Sequence, residues 1–433
     1  MPSPPAGRLP PTLWTGTTYF AEGLPWSLLH QVAAEFFTAI GVPAREVGYT
    51  SALHLTNTLK FLWSPVVDLV GTLRGWMIAT QALMGIAVGV VALLGHALAA
   101  GGEGSTSAIW LALVVIGVLS ATHDIACDGY YMDALDKDAQ ARFSGVRVAA
   151  FRAAMLVGSA GLVFIGGRES WLWAFGAGAA ILGGLALFHR FFLPHGVQEA
   201  KEHPRSPRGR LDHVVDAYLR FILQPRALWV IAFLISYKLG DALMFSMSKV
   251  LLRELGVVTE VRGVLNGAGT IASIAGAVIA GAWIGRATLA RALVPITIAM
   301  AATEPLYLLI AEGALPIRLA AGMDAPSAFQ ALFAPHALGI AAILVCEQFF
   351  GGMATAAQMV FIMRRCHPDH KAAHFAFATA LYSLAQTATG TYSGIVYEAH
   401  GPITYFGLAS VVCIPCLLLL SLVPTEGSAP ASK

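Results

Sequence analysis

The sequence predicts an all-α integral membrane protein, with twelve transmembrane helices in two six-helix bundles. Three observations carry that reading. Apolar residues make up 57% of the 433 positions and charged residues only 12%, where a soluble domain carries about 25% charged residues. Apolar runs long enough to cross a bilayer core, about 20 residues each, recur twelve times along the chain. One strongly polar segment, HGVQEAKEHPRSPRGR at 195–210, divides them six and six.

The first run covers 13–39. It is too long for a signal-peptide core, it holds Glu22, and no small-residue cleavage pattern follows, so it is expected to remain as the first span. The next five lie at 47–70, 75–98, 107–133, 143–165 and 170–193. The second six lie at 227–250, 262–285, 288–311, 336–363, 372–397 and 402–423. The expected organisation is therefore an N-terminal bundle over 1–194, a cytoplasmic central loop over 195–225 and a C-terminal bundle over 226–433. Within the loop, Leu211, Val214, Val215, Tyr218, Leu219 and Ile222 share one helical face, which predicts an amphipathic helix on the membrane surface. Gly85/Gly89, Gly263/Gly267 and Gly281/Gly285 have the small-xxx-small spacing of closely packed helices.

Of the 27 Lys and Arg, 17 fall in the segments on the side of the termini and five in those on the other side. By the positive-inside rule both termini are cytoplasmic. A net charge of +2 gives no footprint for nucleic acid. The five cysteines lie in or beside apolar runs, and Cys413-x-x-Cys416 sits inside one, so it reads as packing rather than a redox or zinc site. No cofactor and no metal is expected.

The charges inside the spans indicate what the spans are for. ATHDIACDGYYMDAL, at 121–135, closes a long apolar run yet carries His123, Asp124, Asp128 and Asp133. An ionisable side chain at bilayer depth costs roughly 2.5–3.5 kcal/mol on insertion scales unless it faces protein or water. This helix is therefore expected to line a path for an ion or solute. Glu22 and His30 in the first span, Lys238 and Asp241 in the seventh, and Glu347 and Gln348 in the tenth belong with it. Asp124 and Asp128, four apart, share a face, as do Lys238 and Asp241, three apart. A carboxylic acid in low dielectric can exchange a proton near neutral pH, which proton coupling requires. Lys238, Arg147 and Arg152 can neutralise such acids or hold an anionic solute.

Plainer readings stand beside these. Lys238 with Asp241 fits a structural ion pair, His123 a hydrogen-bonded neighbour of Asp124, and Asp133 a solvated helix end. Glu35, Lys249 and Arg253 lie near helix ends, where long side chains snorkel to water. Glu304-Pro305 predicts a kink in the ninth span. Aromatic residues such as Tyr19, Trp26 and Tyr237 fit either sugar stacking or interfacial anchoring.

KFLWSPVVD at Lys60–Asp68 resembles the K-F-L-W-[AS]-P-x-x-D stretch that ends the second helix of AmpG-type muropeptide permeases. The likeness continues through Gly23-Leu24-Pro25, Asp124–Asp128, FRAAMLVGSAG around Arg152, YKLGD at Tyr237–Asp241, and Glu347-Gln348 with Gly351-Gly352. That group belongs, with peptide and acetyl-CoA transporters, to the major facilitator superfamily, whose first, fourth, seventh and tenth helices line a central cavity. The resemblance implies a proton-coupled importer of a bulky anionic solute such as an anhydro-muropeptide, working by alternating access. It implies that Glu22, His123, Asp124, Asp128, Arg152, Lys238, Asp241, Glu347 and Gln348 serve proton coupling or substrate binding, and that Lys60, Asp68 and Arg74 serve gating. Two departures stand out: His123 where Gln is usual, and Gln348 where Asn is usual.

The expected setting is a bacterial inner membrane, with a small-molecule solute, protons and the lipid bilayer as partners and the monomer as the working unit. Three alternatives remain. One is a siderophore- or acyl-CoA-type facilitator. A second is a facilitator or sensor without proton coupling. The third is an intramembrane prenyltransferase holding magnesium and pyrophosphate on Asp124-x-x-x-Asp128, against which no second such motif stands in the spans.

Overall fold

The computed structural model describes residues 9–99, 106–135, 137–194, 219–313, 326–327, 330, 335–366 and 371–424, and no strand occurs among them. The chain opens with α1 at Pro11–Ser27, which passes through a π-helical turn at Leu28–Val32 into Ala33–Ala39. Segment α2 is Ala44–Tyr49, a 3-10 turn at Thr50–Leu53, His54–Thr58, a second 3-10 turn at Lys60–Leu62, and Ser64–Leu69. There follow α3 (Leu73–Ala99), α4 (Thr106–Ala134), and α5 (Lys137–Leu156, a π-helical turn at Val157–Leu162, then Val163–Arg168). Helix α6 (Trp171–Phe192) begins where the Ser170 hydroxyl accepts from the Trp173 N–H.

The second set begins with α7, Ala227–Ser236 and Leu239–Glu254, interrupted at Tyr237-Lys238. After α8 (Thr259–Ala287), α9 is Leu289–Thr303 and Leu306–Ala311. Its interruption falls at Glu304-Pro305, the expected kink, because proline cannot donate to the helical ladder. Helix α10 is Pro335–Arg365. Lys371–Val412 is two helices, α11 and α12, separated at Gly401, whose φ of 75° and ψ of 170° are not helical. The Tyr397 and Tyr405 rings are 5.4 Å apart, whereas a straight helix would part them by about 12 Å along its axis. The chain therefore doubles back at Gly401, and α12 continues through Ile414–Leu419.

Nine of the described helical stretches are long and apolar enough to cross a membrane, and one of them, Phe377–Leu419, contains both α11 and α12. Helices α1 and α2 are broken by their π and 3-10 turns, so neither runs as one continuous α-helix. The amphipathic segment expected after the polar loop lies outside the described residues up to 218. Its last turn is described, and there Phe221 is buried against the His374 and Phe377 rings.

Helix α1 packs on α5, and α3 on both α4 and α6; in the second set α8 packs on α10, α9 on α10, and α7 on α11. The start of α1, the α2–α3 turn and the ends of α4 and α6 meet in one apolar cluster containing Trp14, Met77, Tyr130 and Leu193. This is the termini end of the molecule. At the opposite, far end the two sets are joined. The buried Glu35 of α1 accepts from Arg262 Nε of α8 at 2.8 Å and from Asn266 Nδ2 at 2.9 Å. The Arg45 N–H at the start of α2 donates to Glu398 of α11 at 3.0 Å. Where α5 crosses α8, a Cβ on Gly263 would stand 2.9 Å from the Phe164 nitrogen, so only glycine permits the approach. The remaining described bonds between the sets, Ser159 with Thr270 and Thr58 with Ser383, lie deeper in the molecule. The sets thus converge toward the far end and leave a polar cavity between them. Gly85 likewise meets α6 closely, while Gly281 and Gly285 face open space.

Candidate functional site

The cavity between the sets has a volume of about 240 Å³. Trp26, His30, His54 and Arg152 line it from the first set, and Lys238, Asp241, Lys249, Gln348, Tyr382 and Gln386 from the second. Two further spaces adjoin it within the first set. One shares Trp26 and Arg152 with it and contains Tyr19, Glu22 and Arg147; the other shares Trp26 and His30 and contains Glu22 and Asp124. Trp26 borders all three, and Glu22, one helical turn away on the same face of α1, borders the inner two. The π-helical turn after Ser27 keeps His30 in the cavity wall, where its ring stacks on His54 at 3.5 Å with Trp26 edge-on to both.

Glu22, Asp124 and Asp128 each bring a carboxylate oxygen within 4.8 Å of the other two. Two cations answer them. Lys60 of α2 pairs with Asp124, and Arg147 of α5 reaches Asp128 at 2.7 Å. The Tyr19 hydroxyl donates to Asp128 at 2.7 Å, and Arg147 lies over the Tyr19 ring at 4.4 Å. Glu22 Oε2 is buried with no hydrogen-bond partner. Three acids against two cations leave one negative charge, and a single proton makes the cluster neutral. The donor set alone could hold a cation, but Lys60 and Arg147 already occupy two of the three carboxylates.

The second set carries its own group. Lys238, at the break in α7, pairs with Asp241 at 2.8 Å and donates to the Gly351 carbonyl of α10 at 3.2 Å. A Cβ on Gly351 would stand 2.9 Å from Asp241 Oδ1, so glycine lets α10 approach the ion pair. Glu347, 3% exposed, accepts from Gln348 Nε2 at 2.8 Å and faces the Tyr307 hydroxyl. Glu304, beside the α9 break, is buried with both oxygens unpartnered.

The structure therefore brings together Glu22, Asp124 and Asp128 in one group and Lys238, Asp241, Glu347 and Gln348 in another, with Arg152 in the cavity wall. It sends His123 elsewhere. His123 is fully buried, and its Nε2 lies 2.8 Å from the Gln81 amide nitrogen, whose oxygen faces His189 Nδ1 at 2.9 Å. That chain ends on Thr17, inside the first set.

The structure places two of the residues expected at a gate. Lys60 belongs to the acidic cluster, because the 3-10 turn at Lys60–Leu62 points it toward Asp124. Arg74 donates to the carbonyls of His189, Arg190 and Leu193. It caps the end of α6, where free carbonyls and the helix dipole attract a cation. The Asp68 side chain lies outside the described residues. Glu35 and Lys249, read as snorkelling ends, are buried at 0% and 4% exposure, Glu35 against Arg262 and Asn266 of the other set and Lys249 against Phe245 of its own helix.

Sequence reasoning offered Arg147 as a neutraliser of the acids and Tyr19 and Trp26 only as stacking or anchoring aromatics, and it left His54 and Tyr382 out. For Arg147 the signal existed, as a charge within an apolar run. For His54, Trp26 and Tyr382 only three-dimensional packing shows which face they present.

Two helical sets around a polar cavity, joined at one end, make the architecture of a membrane transporter with a central binding site. The chain belongs to the Major Facilitator Superfamily, whose family model matches residues 15–323. Within it the chain is AmpG-like. It is 28% identical over 414 residues to the anhydromuropeptide permease of Escherichia coli K12, covering 93% of this chain and 77% of that one. It is 22% identical over 416 residues to the Rickettsia conorii transporter named AmpG 4, covering 94% of each. Among solved structures, nucleoside transporter NupG superposes with a TM-score of 0.66 at 15% identity, over 94% of this chain and 98% of that one. A bacterial homologue of the lysosomal transporter Spinster gives 0.61 at 12% identity, over 95% and 92%. Family and relatives are transporters rather than enzymes, so the prenyltransferase alternative falls away.

Proposed function

We propose that this protein is a proton-coupled importer of a bulky anionic solute of the anhydro-muropeptide class, working by alternating access in a bacterial inner membrane with both termini cytoplasmic. The observation that carries the coupling is the cluster of Glu22, Asp124 and Asp128 with its single uncompensated charge. It reaches the solute cavity through spaces bordered by Trp26 and Arg152. A proton that neutralises the cluster changes the charge beside the solute site, and that links the two bindings. The solute class rests on the E. coli relative and on the positive charge of Arg152 in the cavity wall. With the termini in the cytoplasm, the joined far end faces outward, and the described state is the one closed to the outside.

The test is uptake of labelled anhydro-muropeptide into liposomes. An inward proton gradient is expected to drive accumulation, and both Glu22→Gln and Asp124→Asn to abolish it while solute exchange at equal concentrations persists. Accumulation that follows the gradient in both variants overturns the coupling, and wild-type liposomes that take up no muropeptide overturn the solute class.

A further inference from the structure

Three cations line the central cavity: Arg152, Lys238 and Lys249. Lys238 has Asp241. Among the described residues, Arg152 and Lys249 have no carboxylate within ion-pair distance. Arg152 reaches only the Met155 sulfur at 3.8 Å. Lys249 is 4% exposed; its ammonium donates to the Phe245 carbonyl at 3.2 Å and lies 3.9 Å from the centre of the Phe245 ring. An ammonium has three N–H donors, so two remain for whatever enters the cavity.

Glu35 is the acid whose field reaches Lys249, but its two oxygens are taken by Arg262 and Asn266. A buried charge is costly unless paired, and one aromatic ring returns only about 0.5–2 kcal/mol. A lysine kept here without its own acid indicates a counter-charge that arrives with the solute.

The two unpaired cations sit at different depths. Arg152 lies fifteen residues into α5 from the termini end and Lys238 eleven residues into α7 from the same end, which sets Arg152 near the level of the α7 break. Lys249 lies eleven residues further along α7, about 16 Å at the helical rise, beside the sealed far end.

We infer that Lys249 is a solute-binding residue that takes a carboxylate at the sealed end of the cavity while Arg152 takes one nearer the termini end. The preferred solute then carries two well-separated carboxylates. This rests on the importer reading above and names the charge pattern that the site selects.

The test uses the full-length protein in detergent and two probes: the anhydro-disaccharide bearing its single carboxylate, and the same disaccharide extended by an acidic tripeptide. Wild type is expected to bind the extended form at least about 10-fold more tightly, the worth of one charge-assisted contact. Lys249→Met should lose that preference while holding the bare disaccharide as wild type does, and Lys249→Arg should restore it. A preference that survives in Lys249→Met, or equal weakening of both probes, overturns the assignment. If wild type binds neither probe, the muropeptide reading has failed, and the lysine is then read by thermal stability in citrate against sodium chloride of equal ionic strength. Citrate stabilising wild type but not Lys249→Met upholds Lys249 as an anion site; no citrate stabilisation of wild type overturns it.

Discussion

Gln81 joins two buried histidines that lie 66 residues apart in the chain, and its chemistry fixes how they are protonated. An amide nitrogen only donates, so His123 Nε2 accepts and that ring carries its proton on Nδ1; the amide oxygen only accepts, so His189 donates from Nδ1. Gln81→Leu therefore orphans two ring nitrogens in a dry interior, at about 1–3 kcal/mol each. The expected outcome is a lowered unfolding temperature with unchanged solute affinity in the folded protein, measured by thermal unfolding and binding titration. Tyr19→Phe, by contrast, removes the donor to Asp128 while Arg147 still compensates that acid; transport is expected to slow with little change in the unfolding temperature. The sequence shows that His123 is an ionisable group in an apolar helix. Whether it faces the cavity or the core depends on Gln81 and His189, which come from other helices, and no local spacing encodes that choice.

Between the sets, α1 and α8 share the most deeply buried ion pair among the described residues. Arg262 also donates to the Val257 carbonyl and the Thr259 hydroxyl, so all three guanidinium nitrogens and both Glu35 oxygens have a partner. Removing one partner of such a pair costs about 3–5 kcal/mol, because the other is left buried and unpaired. Arg262→Met is expected to shift the population away from the far-end-closed state, read as greater thiol-reagent access to a cysteine placed at Gln348. Glu35→Gln in the same chain should return part of the closure, since no orphaned charge then remains. Helix positions were legible to within a few residues, because periodicity and apolar length belong to each segment alone. Partners 227 residues apart leave no such mark, and the Arg262 and Asn266 side chains that hold Glu35 as an interior acid come from the other set.

Across the whole molecule, transport by rocking requires the far end to part. Arg45 and Glu398 meet there on the surface. Replacing both by cysteine is expected to give an oxidative cross-link that stops uptake and is reversed by reducing agent. Uptake that continues while the cross-link is intact would remove rocking as the mechanism. The π-helical turns in α1 and α5 touch one another, with Ser27 donating to the Met155 carbonyl at 3.2 Å and Gly158 leaving no room for a Cβ beside Ser27. A π turn holds one residue more than the α-helix around it. Deleting one residue of 28–32 would restore regular winding with little rotation of the helix beyond, because the π turn is the local widening that takes up the extra residue, so Glu35 is expected to stay opposite Arg262. A one-residue gap at this point in a related sequence is therefore compatible with the same far-end seal, and what it alters is the cavity wall around His30.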